Sequence, residues 1–456
     1  MRVTIVGTSY VGLTLATGFA ELGHTVVCVE RDPETLALLR AHRTLVAEPS
    51  IDDLLLKHLG NGLSVTDNLH DAVAEGEVVF VAHEFPYEAG RLVLDALKDL
   101  AAEIGNAIRI TERYSVVVLK STVPPGTTEK VFRPILEQCS GKKSGVDFGV
   151  AFEPEFLRQN RALGDFFEPD RVVIGTDDDR TRATLLTLAP ATPDTPVFVT
   201  NPSTAEIVKY TTNAFFALLL SYANEIGKIC ARTDQVDAEE VFACLEADRR
   251  VSPQLPGGGR VKPGLAAYLR PGCGFGGRRF PNDVRSFVGF AEDNGCRAGL
   301  LDEVLAINAR QPLEMLKLLR KEWPDFRNLA VTVIGVALKP GATDIDESPA
   351  LPAIDSLLQE QAHVTVFDPG ARAEILAHFS EQARLNVEDD FASAVASAEA
   401  IMVFTAYPEC STLPTILGKR RDEVAIIDGR RAVDGSNCRR YHALGVWNRR
   451  NGTCHA

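Results

Sequence analysis

The 456-residue sequence lacks a positive field: 48 Lys and Arg stand against 62 Asp and Glu, a formal net charge of −14. Phosphate backbones and anionic lipid surfaces call for the opposite balance, so neither nucleic acid nor membrane is expected as a partner. No apolar run approaches the ~20 residues that span a bilayer. The opening Met1-Arg2-Val3-Thr4-Ile5-Val6 reads as a strand and not as a signal peptide. Nine cysteines form no CxxC pair and no metal-ligand spacing, which argues against structural zinc or any other metal site and for reduced thiols in a cytoplasmic setting. Repeats at solenoid period and low-complexity tracts are missing as well.

What is present is ordinary globular composition, 45% hydrophobic and 24% charged, in a chain too long for one hydrophobic core. Short β-branched runs at residues 3–6, 25–30, 78–82, 115–119, 148–151 and 171–175 alternate with helical stretches such as 10–22. That alternation predicts a parallel sheet covered on both faces. From Asn201 the pattern turns helical, with Ser203 as expected N-cap and Glu206 completing a capping box, and it runs unbroken to about Ala231. A Gly/Pro-rich segment at 253–281 interrupts this helical region. After Trp323-Pro324 strands resume at 330–335, 363–367, 400–405 and 424–427. The expected organisation is α/β: Rossmann-like parallel-sheet domains at 1–200 and 313–456, joined by a helical region at 201–312.

Gly7-Thr8-Ser9-Tyr10-Val11-Gly12 follows a strand and opens a helix, the setting in which GxGxxG holds a pyrophosphate. Glu30 closes the next strand, where a carboxylate takes the ribose hydroxyls and selects NAD, with Arg31 beside it. The middle glycine is Ser9, whose Cβ narrows the approach to the pyrophosphate.

Taken together, the motifs resemble the UDP-glucose/GDP-mannose dehydrogenase family over essentially the whole chain. They are the glycine loop with Leu13, Lys120-Ser121-Thr122-Val123-Pro124-Pro125-Gly126-Thr127, and Glu153-Pro154-Glu155-Phe156-Leu157-Arg158. Further along come Val208-Lys209-Tyr210 with Asn213-Ala214-Phe215, Pro271-Gly272-Cys273-Gly274-Phe275-Gly276-Gly277 with Phe280-Pro281 and Asp283, Lys339-Pro340, and Glu347-Ser348-Pro349-Ala350-Leu351. Their order and spacing are more specific than any one of them. The resemblance implies a homodimer built on the central helices, a C-terminal domain for the nucleotide sugar, and a family reaction of two successive hydride transfers through a cysteine thiohemiacetal and thioester.

Against that pattern the family's nucleophilic cysteine corresponds to Arg279, a guanidinium that cannot attack. The glutamate that activates water for thioester hydrolysis corresponds to Gln159, and the lysine of the PKD motif to Asn282. Residues of the first hydride transfer remain: Lys209 and Asn213, four apart on one helix face, with Asp283 and Thr122, the last also at the cofactor. The resemblance places Glu155, Phe156, Leu157, Arg158, Arg260, Tyr268, Phe275, Gly276, Lys339 and Arg430 at the substrate, Arg260 reaching in from a partner subunit; Arg279, inside the glycine-rich loop beside Phe275 and Pro281, is expected to contact a ligand oxygen.

The expectation is therefore one NAD-dependent two-electron oxidation. A secondary alcohol going to a ketone fits best, as at C6 of a GDP-octose in antibiotic-sugar biosynthesis. A redox-neutral sugar epimerase and a non-catalytic nucleotide-sugar-binding homologue stay open.

Overall fold

The computed structural model describes residues 1–447 except Leu45, Ala47, Ala89, Gln159 and Asn160. Its strands are β1 (Arg2–Val6), β2 (Thr25–Val29), β3 (Leu63–Thr66), β4 (Val78–Val81), β5 (Tyr87–Glu88), β6 (Arg91–Leu92), β7 (Val116–Leu119) and β8 (Gly149–Phe152). They continue as β9 (Val172–Gly175), β10 (Val197–Thr200), β11 (Ala330–Ile334), β12 (His363–Phe367), β13 (Leu385–Glu388), β14 (Ala400–Val403), β15 (Ala425–Asp428) and β16 (Tyr441–Ala443). The chain forms two compact units. One comprises Met1–Thr212 with Arg285–Cys296; the other comprises Asn213–Val284 with the chain from Arg297 onward.

In the first unit the runs Val-Val-Phe-Val of β4 and Val-Val-Val-Leu of β7 bury every residue. Pleating sends successive side chains to opposite faces. Val78, Phe80, Val116 and Val118 enter one core cluster, while Val79, Val81, Val117 and Leu119 enter another. A sheet loaded on both faces must carry helices on both, and the eight strands stand in the order β10-β9-β8-β7-β4-β1-β2-β3. All pairings are parallel except the single antiparallel bridge between Phe152 of β8 and Gly175 of β9. The small β5–β6 hairpin is separate.

The second unit repeats this plan. Six parallel strands run β13-β12-β11-β14-β15-β16, so β11 and β14 flank a reversal of strand order as β1 and β4 do in the first unit. Even the leading strands correspond: Val3-Thr4-Ile5-Val6-Gly7 and Val331-Thr332-Val333-Ile334-Gly335. Thr4 donates its hydroxyl to the Ala72 carbonyl and Thr332 to that of Ala394, each at 2.7 Å. The expected pair of Rossmann-like sheets is thus what the chain forms, with the helices Pro202–Cys230, Ala238–Glu246, Phe280–Asp293 and Gly299–Leu319 between them in the sequence.

One local expectation is corrected. The long helix begins at Pro202, not after Ser203. Asn201 caps it, its side-chain oxygen accepting from Thr204 N at 2.8 Å, with proline preset at the first helical position. Ser203 donates instead to the Glu129 carboxylate, and Glu206 turns away to another loop. No helix among the described residues is long and apolar enough to cross a membrane.

Candidate functional site

In the first unit the glycine loop is built around two positions that admit no side chain. A Cβ on Gly12 would lie 2.0 Å from the Gly7 carbonyl oxygen. Gly7 has φ +103°, and a Cβ there would lie 2.9 Å from the Ala82 carbonyl oxygen. Ser9, at φ −63°, is in ordinary backbone, and its hydroxyl donates to Ala82 O at 3.0 Å, across the β1/β4 reversal. No side chain caps the helix Tyr10–Glu21 and no acid sits in its first turn, which leaves its positive end for an anion.

Glu30 accepts from the Thr8 hydroxyl and from the amides of Arg31 (2.7 Å) and Asp32 (2.8 Å). The Arg31 guanidinium is engaged by both carboxylate oxygens of Glu103. Val11 is half-buried, and the Tyr10 hydroxyl donates to Arg158 O at 2.7 Å. Pyrophosphate cradle, free helix end and carboxylate at the second strand together fit NAD.

Lys209 is buried, and its ammonium donates to the carbonyl and the carboxylate of Glu155, both at 2.8 Å. Glu155 also accepts from Leu157 N at 2.9 Å. Phe156 carries two cations, Arg171 at 3.7 Å and Lys209 at 5.8 Å from its ring centre. Arg158 is held outside by Asp165, at 2.5 Å. Gln159 lies outside the described residues. Thr122 is half-buried directly after β7; beside it Ser121 donates to His83 O at 2.5 Å and Lys120 pairs with Glu153 at 2.5 Å.

The turn that follows Thr122 is fixed by Glu206, unread as a site residue in the sequence. Its buried carboxylate accepts from Gly126 N (2.5 Å), Thr128 N (2.8 Å) and Thr128 Oγ1 (2.6 Å). Burial pushes this carboxyl up to about 7 against the pull of those three bonds, with Glu129 adding to the rise.

In the second unit Asn213 Nδ2 donates to Asp283 Oδ2 at 2.5 Å, both side chains buried. Asp283 sits in the first turn of the helix Phe280–Asp293, and its amide donates to Arg279 O at 2.8 Å. Arg279 and Asn282 are half-buried, and exposed Arg278 pairs with Asp346 at 2.6 Å. The glycine-rich loop is pressed against the Asp346–Glu347 backbone. A Cβ on Gly276 would lie 2.2 Å from Glu347 O, and Gly277 N donates to Asp346 O at 2.9 Å. Asn308 clamps Phe275, accepting from its amide at 2.7 Å and donating to its carbonyl at 2.8 Å.

Cys273, in the same loop, is completely enclosed, its sulfur 3.8 Å from Val403 O and 3.7 Å from Gly429 O. Burial pushes its thiol up to about 11, so it is protonated at neutral pH.

Arg430 donates through Nε to Phe404 O at 2.6 Å, and its NH1 lies over Gly272. Lys339 is exposed just beyond a loop held by Asp368, which accepts from Val336 N and Ala337 N at 2.7 Å each and from the Tyr407 hydroxyl at 2.7 Å. Asp368 follows β12 as Glu30 follows β2; the repeated Val-Thr-x-x-Gly strand was the signal that would have found it. Tyr268 stacks on Phe216 at 4.5 Å. Arg260 is exposed and donates to Ala247 O of its own loop.

Sequence comparison covers almost all of this structure. Residues 1–189 match the NAD binding domain of the UDP-glucose/GDP-mannose dehydrogenase family, residues 203–310 its central domain and residues 332–435 its UDP binding domain. A UDP-glucose 6-dehydrogenase of Haloferax volcanii is 34% identical over 97% of this chain and 100% of its own. A GDP-mannose 6-dehydrogenase of Pseudomonas putida is also 34% identical, over 81% of each chain. The structure of a UDP-glucose dehydrogenase from Pyrobaculum islandicum superposes with a TM-score of 0.87, at 34% identity and 98% coverage of both chains.

Proposed function

The chain belongs to the UDP-glucose/GDP-mannose dehydrogenase family, NAD-dependent oxidoreductases of nucleotide sugars, and on that premise we propose that it makes a single two-electron oxidation and stops at a carbonyl. The observation that carries this reading is the state of Cys273. It is the one cysteine of the loop 271–281, it is sealed from solvent, and its thiol is pushed up to about 11. Position 279, where the family pattern has its nucleophile, is arginine. Oxidation to a carboxylate by the family route needs a thiolate to trap the aldehyde, and this loop supplies none.

NAD, when bound, supplies a nicotinamide ring that takes up a hydride. The rest falls to the chain. Asp283, hydrogen-bonded to Asn213, accepts the hydroxyl proton directly or through a water. Lys209 and Asn213, one turn apart on the helix Pro202–Cys230, stabilise negative charge on the oxygen. Glu155 holds the lysine in place. Thr122 lies beside cofactor and substrate, Lys339 and Arg430 bind the nucleotide sugar, and Tyr268, Phe275 and Arg279 line its sugar.

The substrate that suits a site without a thiol is a secondary alcohol, because its ketone yields no further hydride. A chain-extended sugar such as a GDP-octose, oxidised at C6 in the making of an antibiotic sugar, meets that requirement. Arg279 hydrogen-bonds the extension.

The protein acts as a homodimer in this reading. Phe215, Tyr222 and Ile229, seven apart on the long helix, are 46%, 45% and 58% exposed, and Val241 and Leu245 add to the apolar surface of the second unit. Large apolar side chains exposed in a row along one helix face mark a surface that a partner covers.

The test is turnover by Cys273→Ala with mass analysis of the product. Activity within about threefold of wild type, giving a carbonyl product, supports the proposal. Loss of turnover in a folded variant, or a carboxylate product from wild type, overturns it.

A further inference from the structure

The second unit holds a cavity of about 160 Å³ that none of the residues assigned above lines. That is room for roughly ten water-sized spheres. Lys228, Arg232, Lys317 and Lys321 surround it, against one carboxylate, Glu314, which is taken by Lys317 at 2.8 Å. Lys228, Arg232 and Lys321 have no ion-pair partner among the described residues. Three unpaired cations around one hollow are out of character for a chain of net charge −14. Partial burial holds the Lys321 ammonium below its ordinary pKa, a cost that a bound anion would reverse.

The floor is polar and fixed. Gly272 N donates to Asn224 Oδ1 and Gln311 Nε2 donates to Gly272 O, both at 2.8 Å. Those bonds set which way the Gln311 amide points. Its oxygen Oε1 is left buried, with Gln311 only 1% exposed, and has no hydrogen-bond partner among the described residues. With almost no accessible area, that oxygen belongs to the packed floor and leaves the cations to decide what the cavity takes.

We propose that this cavity binds a phosphate group, free or as a small phosphate monoester, among Lys228, Arg232 and Lys321. The site is distinct from the nucleotide-sugar and NAD sites and independent of how many oxidations the enzyme performs. Asn224 and Gln311, which line the cavity, also hold Gly272, so the ligand lies beside the supports of the glycine-rich loop.

The experiment is calorimetric titration of the full-length protein with glucose 1-phosphate, UDP and GDP being present at saturation to occupy the nucleotide-sugar site. Inorganic phosphate and glucose are titrated in parallel. Glucose 1-phosphate is expected to bind saturably, at least about tenfold tighter than glucose, and to weaken at least about tenfold in the Lys228→Gln/Lys321→Gln double variant. That variant keeps its melting temperature and NAD binding, since both side chains are outside the core and the catalytic machinery. No saturable binding of either glucose 1-phosphate or phosphate, equal affinity for glucose, or unchanged affinity in the variant would each overturn the proposal.

Discussion

Lys209 and Glu155 form an ion pair at 2.8 Å in which the two side chains are only 4% and 6% exposed. Removing one member of such a pair strands a buried charge, which costs about 3–5 kcal/mol. Glu155→Gln is therefore expected to lower stability by that order in urea melts and to abolish turnover. Replacing both partners, as Glu155→Leu/Lys209→Met, is expected to recover most of the stability and none of the activity. Destabilisation by the double variant equal to the sum of the two single variants' effects would mean the pair is not coupled.

The Glu206 carboxyl has a folded pKa of about 7 against an ordinary 4.5, raised chiefly by burial and further by Glu129. A folded pKa above the unfolded one means the contribution is fully present below about pH 4.5 and is lost as pH rises through 7. Every tenfold change in proton affinity corresponds to about 1.4 kcal/mol. Wild-type melting temperature should fall between pH 5 and 8 by an increment that Glu206→Gln lacks, since an amide does not titrate there. Parallel pH curves for the two proteins would contradict this. The same variant loosens the turn after Thr122, so its kcat should fall more than its KM changes.

Arg31 is committed to Glu103, and the Glu30 carboxylate after β2 accepts from the Thr8 hydroxyl of the glycine loop. NAD should be preferred over NADP by a wide margin. Glu103→Ala frees the guanidinium and should narrow the kcat/KM ratio by about tenfold, a change of about 1.4 kcal/mol. An unchanged ratio would place the cofactor's ribose elsewhere.

If the proposed homodimer forms through the long helix, Tyr222→Lys/Ile229→Lys should leave a monomer by light scattering, because the charges fall within the exposed apolar stripe. A dimer that survives both substitutions would exclude this face as the interface.

The fold was legible where both sheet faces are buried. Val-Val-Phe-Val and Val-Val-Val-Leu read as strands because nothing but a two-sided sheet hides so continuous a run. Edge elements were not: β3 has only Leu63 buried, and in β10 Val197, Phe198 and Val199 are exposed. The capping box at Ser203 does not form because two residues decide the helix start: the asparagine that caps it and the proline that follows.

The candidate site was legible as motifs but not as bonds. Asn213 and Asp283 are 70 residues apart and Lys209 and Glu155 are 54 apart, so no spacing rule announces either pair. Glu206 read as a helix cap, and its attachment to the Gly126–Thr128 turn needs the tertiary fold. Asp368 could have been found from the second Val-Thr-x-x-Gly strand, a repeat too short to register against solenoid periods.

The central claim is that oxidation stops after one hydride, and cofactor stoichiometry tests it most directly. Purified protein is supplied with NAD and a panel of UDP- and GDP-sugars that includes a chain-extended one, and the NADH formed is counted against the sugar consumed. One NADH per sugar, with a product about two mass units lighter, is the predicted result. Two NADH per sugar, with a carboxylate as product, would contradict the account and mean that a nucleophile traps the aldehyde after all.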